Sequence, residues 1–232
     1  MPAITTDPVT AIALWLQLHD SAFPAGRMVH SHGLEEWLAL RPDAGAEAIE
    51  VAVCGYLTHG YATLDGTVTA AAWRDWQSAQ RLTELDTLIA SHKLFDNART
   101  ASVSAGQQLT ATACDIGIAE QHPYLRAVLA GSTPGHAAVV DGVVQAHLGV
   151  TEQLAVLGSL RSLMASMLSA AVRLGRLGPL QSQRIQLRNA ASMTRVAASA
   201  CERPLSELSS LSPALEISGM RHEQRTSRLF AT

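Results

Sequence analysis

The sequence predicts an all-α protein, and three observations carry that expectation. Apolar residues recur at helical spacing in successive stretches, Pro, Gly, Asp and Ser punctuate the gaps between them, and alternating Val, Ile or Thr never lasts a strand's length. Only residues 139–144 approach a strand, and Asp141 and Gly142 interrupt them. The expected architecture is one domain of about nine or ten helices around a central apolar helix at 151–174, with no repeat and no low-complexity linker.

Each element has its own signal. Asp7 followed by Pro8 reads as an N-cap with proline at the first helical position, opening a helix over 8–19 with Ile12, Trp15, Leu16 and His19 at helical spacing. A second pattern over 31–40 stops at Arg41-Pro42, because a residue before proline avoids helical angles. Asp43 reads as the cap of a third helix whose stripe is Ile49, Val53, Tyr56 and Leu57. Helical patterns follow over 65–79, 82–95, 97–113, 123–130 and 137–148. Residues 151–174 are apolar around most of the circumference, as expected of a helix surrounded by others. Pro179 then opens a helix to about residue 201, and Pro204 and Pro213 divide the remaining tail into short pieces.

Composition narrows the function classes. With 232 residues, 47% of them hydrophobic but only 4% aromatic, Leu, Ala and Val must build the core. Cys54, Cys114 and Cys201 are an odd count without a Cys-x-x-Cys pair, which argues against a disulfide framework or thiolate metal site and for a reducing cytoplasm. The N-terminus lacks a basic and then apolar leader, and the charge-free run 162–172 is well short of the ~20 residues of a membrane span. Charge is segregated: residues 1–160 carry 7 Lys and Arg against 16 Asp and Glu, and residues 161–232 carry 10 against 4. Complementation of the two halves within the fold is the first expectation, ahead of an anionic partner.

The stretch between the first two helices is dense in special residues. Asp20, Ser21, Phe23, Pro24, Gly26, His30, Ser31, His32, Gly33 and Glu35 fall in one turn. Pro24 and the two glycines give that turn a definite shape, and Phe23 must cover either the core or a partner.

Asp20-Ser21, Phe23-Pro24, Gly26, then His30-Ser31, Gly33-Leu34-Glu35 resemble the N-terminal motif of the urease accessory protein UreF family, Asp-Ser-x-Phe/Leu-Pro-x-Gly followed by His-Ser-x-Gly-Leu-Glu. Further resemblance lies in Arg99, Ser102 and Gly106, in His136, Val139, Gly142 and Gly149, and in residues 169–178 with Arg173 and Gln183. It closes with Ser212-Pro213, His222-Glu223 and Arg228-Leu229-Phe230. The departures are Arg27, Arg176 and Pro179. The resemblance implies an adaptor without catalytic residues of its own that joins UreD (also called UreH), recruits the GTPase UreG onto apo-urease, and so serves nickel insertion and lysine carbamylation. It implies homodimerisation and no stably bound cofactor because nickel is handled by the complex; the acidic balance and the lack of a span-length apolar run argue against a nucleic-acid or membrane partner. Partner contacts are then expected at Asp20, Ser21, Phe23, Pro24, His30, Ser31, Gly33, Glu35, Arg99, Ser102, Arg173, Gln183, Met220, His222, Glu223, Arg228, Leu229 and Phe230. Residues 1–6 are expected to be flexible, and the tail from about 213 to 232 to become ordered on a partner.

Other chemistries find less support. His30-Ser31-His32 with Glu35 or Glu36 could serve a helical metal-dependent hydrolase, but positions two apart diverge on a helix, and His-Glu-x-x-His is absent. There is no phosphate-binding Gly-x-x-x-x-Gly-Lys-Ser/Thr, and the single lysine is Lys93. Arg173, Arg176, Arg184, Arg188, Arg195 and Arg203, opposed only by Glu202, could follow phosphates, but the chain is acidic overall and shows no helix-turn-helix signature, so the face is expected to meet an acidic protein surface or the chain's own acidic half.

Overall fold

The computed structural model describes residues 7–26, 30–226 and 228–231, and among these there is no strand. Eleven α-helices follow in order: α1 (Pro8–Leu18), α2 (Leu34–Ala39), α3 (Ala46–Tyr56), α4 (Thr67–Arg74), α5 (Ala79–His92), α6 (Asp96–Asp115), α7 (Pro123–Leu129), α8 (Ala137–Leu148), α9 (Glu152–Arg173), α10 (Pro179–Glu202) and α11 (Pro213–His222). A π-helical segment, Leu57–Gly66, joins α3 to α4, and a 3₁₀ turn, Leu205–Glu207, follows α10. The expectations for residues 1–6 and Arg27 lie outside the described residues.

Most helix starts obey the local signals. The Asp7 carboxylate accepts from the backbone N–H groups of Val9 and Thr10 at 3.3 and 2.9 Å, with Pro8 at the first helical position. Thr151 caps α9 through Leu154, and Pro123 and Pro179 open α7 and α10. Asp43, however, does not cap α3. It is exposed, and α3 starts from Gly45, because the turn 41–44 is held from outside by Arg176. The second helix also begins later than expected, at Leu34, since His32 and Gly33 both have positive φ.

The expected break between residues 57 and 65 is absent. Instead α3, the π segment and α4 form one continuous rod, as the element boundaries abut. The wide π turns leave carbonyls available to outside donors. Ser209 and Leu211 donate their backbone N–H groups to the Thr63 and His59 carbonyls at 3.2 and 2.9 Å, so the segment after the 3₁₀ turn is stitched to the rod.

Two large apolar clusters form most of the core, and a small third one sets Ala11 of α1 against Val150 and Ala155. The first gathers α4 to α8 with the end of α1, and the second gathers α2, α3, α9, α10 and α11. α9 runs through the second cluster; it is long and apolar enough to cross a membrane, and 67% of that window is buried among its neighbours. α8 is still more enclosed, with every residue from Ala138 to Leu148 buried, including the stretch that approaches a strand pattern. A Cβ at Gly142 would lie 2.5 Å from the Thr69 carbonyl, so glycine there sets the close approach of α8 to α4. Each fully buried valine or leucine of α8 contributes about 1.5–3 kcal/mol.

The mid-chain motif residues interlock in this core. A Cβ at Gly106 would fall 2.0 Å from the Gly135 carbonyl, so α6 can meet the turn before α8 only with glycine. Buried Asp86 holds the same turn, accepting from Thr133 Oγ1 and from the backbone N–H groups of Gly135 and His136 at 2.7–2.8 Å. His136 Nδ1 then meets Ser102 Oγ at 3.0 Å.

Candidate functional site: the Glu35 junction

α2 begins with a demand for close packing. Gly33 has φ +79°, and a Cβ there would lie 2.3 Å from the Leu215 carbonyl and 2.9 Å from the Gly219 nitrogen. Its absence lets α11 press against the start of α2, and Gly219 in turn admits the ring of Phe95, which a Cβ would meet at 2.8 Å. The His-Ser-x-Gly-Leu-Glu motif and the C-terminal segment are therefore neighbours although nearly two hundred residues separate them.

Glu35 is the centre of the contact. Its carboxylate is buried and accepts three hydrogen bonds: from His222 Nε2 at 2.9 Å and from the backbone N–H groups of Leu229 and Phe230 at 2.9 and 3.1 Å. Burial pushes the Glu35 carboxyl up, but these donors outweigh it and hold it below the ordinary glutamate value. The other ring nitrogen of His222, Nδ1, is buried and has no hydrogen-bond partner among the described residues. Next to this, Arg225 Nη1 reaches Glu36 Oε2 at 3.0 Å, so both carboxylates of α2 hold the tail. Phe230 is buried, with the Arg173 guanidinium 4.5 Å from its ring centroid. Glu223 accepts from the Asn97 backbone N–H at 2.8 Å and ties the end of α11 to α6.

The tail's described residues are thus seated on their own chain. Phe230, one of the expected partner contacts, is buried within this chain, where Glu35 accepts from its N–H and Arg173 covers its ring. Leu229 and Met220 remain 54% and 37% exposed, and Arg221 and Arg228 are exposed beside them in sequence. His30 and Ser31 are buried at the approach to α2, where Ser31 Oγ accepts from the Glu35 backbone N–H at 3.3 Å.

Other expected contact residues lie elsewhere. Asp20 and Ser21 are exposed, while Phe23 is half-buried on the first apolar cluster. The Pro24 carbonyl accepts from Thr112 Oγ1 and Gln108 Nε2 at 2.9 and 3.2 Å, which fastens this turn to α6. Ser102 is buried against His136, and Arg99 caps the loop before α6 by donating to the Lys93 carbonyl and pairing with Asp96. Gln183 is exposed on α10.

The metal-hydrolase reading loses its ligand set here. Both Glu35 oxygens are occupied by donors of the tail, Glu36 pairs with Arg225, and among the described residues no three His, Cys, Asp or Glu side chains are placed to hold a metal ion. The His30 and His32 rings are 6.1 Å apart at the wall of a cavity of about 140 Å³. Burial pushes both imidazoles down, His32 to about 3, so they are neutral.

Three features of the structure had no clear signal in the sequence. Arg176, which departs from the resemblance, donates to the Leu38, Arg41 and Pro42 carbonyls at 2.9, 2.8 and 2.7 Å and so caps the end of α2. Asp65 of the π segment pairs with Lys93 on both oxygens at 2.7 Å inside the cavity wall. The third is the π segment itself. For Lys93, the signal was its rarity, since it is the chain's only lysine.

The comparisons with known proteins agree on one family. A family model described as UreF matches residues 44–190. The chain is 32% identical to the urease accessory protein UreF of Kocuria rhizophila, with 93% of this chain and 94% of that protein covered. It is 29% identical to the protein of that name from Corynebacterium efficiens, covering 93% and 94%, and 26% identical to that of Bacillus sp. strain TB-90, covering 92% and 96%. The family model stops short of both halves of the Glu35 junction, whereas these alignments extend over more than nine-tenths of the chain.

Proposed function

The chain belongs to the UreF family of urease accessory proteins, and from that premise we propose that it is a non-catalytic adaptor of urease maturation. It joins UreD (UreH), recruits the GTPase UreG onto apo-urease, and couples GTP turnover by that partner to nickel insertion and lysine carbamylation. Nickel is the cargo of the complex and not a resident cofactor of this chain. The protein works in the cytoplasm as a homodimer, which places two copies in the complex.

The observation that carries this reading is the Glu35 junction. Buried hydrogen bonds are used there to present a surface and not to build a catalytic centre: the carboxylate fixes a chain end whose outward residues, Arg228 and Leu229, are a charge and an apolar contact. Arg221 and Met220 of α11 add a second such pair just before His222, which grips the same carboxylate. Arginine beside a half-exposed apolar side chain is the composition of an interface hot spot. Co-purification of the full-length chain with UreD and UreG tests the reading. The adaptor is expected to form a complex with them that deletion from Met220 onward abolishes. A truncated chain that still assembles and activates urease would remove the junction from the function.

A further inference from the structure

The outer face of α10 is a second unpartnered surface, distinct from the Glu35 junction. The buried residues of this helix, among them Ile185, Met193 and Ala197, face α9 and the second apolar cluster. On the opposite side, helical spacing aligns Leu180, Arg184, Leu187, Ala191 and Arg195. Leu180 is 72% exposed and Leu187 is 79% exposed. Arg184 and Arg195 are also exposed, and among the described residues neither makes an ion pair. Arg188 beside them is different: it pairs with Glu50, which also accepts from Asn189 Nδ2 at 2.7 Å, so α10 is stapled to α3 and its outer ridge is held in place.

The charge segregation of the sequence now has a location. Of the ten arginines after residue 160, only Arg188 and Arg225 bridge to the acidic part of the chain among the described residues, through Glu50 and Glu36. Complementation within the fold leaves the α10 ridge positive from Leu180 to Arg195, and the first acidic residue of the helix is Glu202 at its end.

We propose that the α10 ridge docks a partner protein whose surface offers carboxylates for Arg184 and Arg195 and apolar recesses for Leu180 and Leu187. Charge and apolarity together select this occupant. A second copy of the same face would set arginines against arginines, which opposes self-association. A nucleic acid would answer the arginines but leave two leucines against phosphate and water. An acidic protein surface satisfies both kinds of side chain.

The proposal rests on the adaptor reading, and the test separates the two. Arg184→Glu/Arg195→Glu and Leu187→Ser are made in the full-length chain, and binding of purified UreD and UreG is measured at low and high salt. The charge reversal is expected to weaken one companion at least about tenfold at low salt, with the gap closing at high salt, and Leu187→Ser to weaken the same companion at both. Helix content should not change, because the substituted side chains are largely exposed and the two arginines make no ion pair among the described residues, and self-association should not change, because the face opposes its own copy. If wild type binds the companions and both variants bind equally well, the ridge is not the docking surface while the adaptor stands. If wild type binds neither, both fall. A shift in dimerisation, or retention of a short DNA duplex by wild type that the charge reversal abolishes, would overturn the assignment to an acidic protein partner.

Discussion

Replacing Glu35 by glutamine should release the C-terminal turn while leaving the helices folded. The carboxylate accepts from three donors at 2.9, 2.9 and 3.1 Å, one an imidazole and two backbone N–H groups. Hydrogen bonds to a charged acceptor contribute about 1.5–3 kcal/mol each in net terms. Glutamine keeps one acceptor oxygen, removes the charge from every bond, and turns an amide N–H toward a donor. Oε2 takes two of the donors and Oε1 the third, so either amide orientation sacrifices at least one bond. A loss of about 3 kcal/mol in docking the tail follows, which is roughly a hundredfold rise in its open fraction. The assay is amide hydrogen exchange of Leu229 and Phe230 in the full-length chain, with α8 amides as the internal reference. Exchange at 229 and 230 should accelerate about a hundredfold while α8 keeps its protection. Unchanged exchange at these two amides, or equal acceleration in α8, would refute the assignment of Glu35 as the residue that holds the tail.

Acid should loosen the tail in the same way. The folded Glu35 carboxyl sits below its ordinary value, so its contribution is complete above the unfolded glutamate value and is lost as pH falls through the folded one; wild-type tail exchange should rise there and that of Glu35→Gln should not. His32 has a folded value of about 3 against 6.5, so its neutral form supports the fold above about pH 6.5 and that support declines toward pH 3; His32→Asn, which tolerates the positive φ, should flatten the urea-stability profile across that window. Gly33→Ala adds a Cβ at 2.3 Å from a backbone carbonyl and left-handed strain, so it should cost about 2–5 kcal/mol in urea unfolding and deprotect α11. Phe23→Ala removes a half-buried ring from the first cluster and should lower stability by about 1.5–2.5 kcal/mol, half the fully buried cost; a stable variant that no longer binds UreD would instead make it an interface residue.

Local rules carried well where a helix start depends on neighbouring residues. Asp7, Pro123, Thr151 and Pro179 each open the helix their chemistry announces, because a cap needs only the next few backbone N–H groups. Asp43 fails for a nonlocal reason: Arg176, more than a hundred residues away, already organises the turn. The continuity of α3 into α4 was also out of reach, since the π turns are stabilised by donors from residues 209 and 211. Glu35 and His222 could each be singled out through the family resemblance, yet neither residue's spacing announces that they meet. What brings them together is a missing side chain, Gly33 against Leu215, and a glycine in a sequence does not say which backbone will approach it. Leu180 and Leu187 of α10 count as apolar positions in the helical pattern although they are exposed, because periodicity does not say which side the core lies on.

The adaptor assignment is tested most directly by activating apo-urease in a reconstituted system of UreD, UreG, nickel, bicarbonate and GTP, with and without this chain. The account predicts that urease activity appears only when the chain is present, that the chain alone hydrolyses neither GTP nor ATP, and that its addition changes the GTP turnover of UreG in the assembled complex. Activation that proceeds equally without the chain, or nucleotide hydrolysis by the chain on its own, would contradict it.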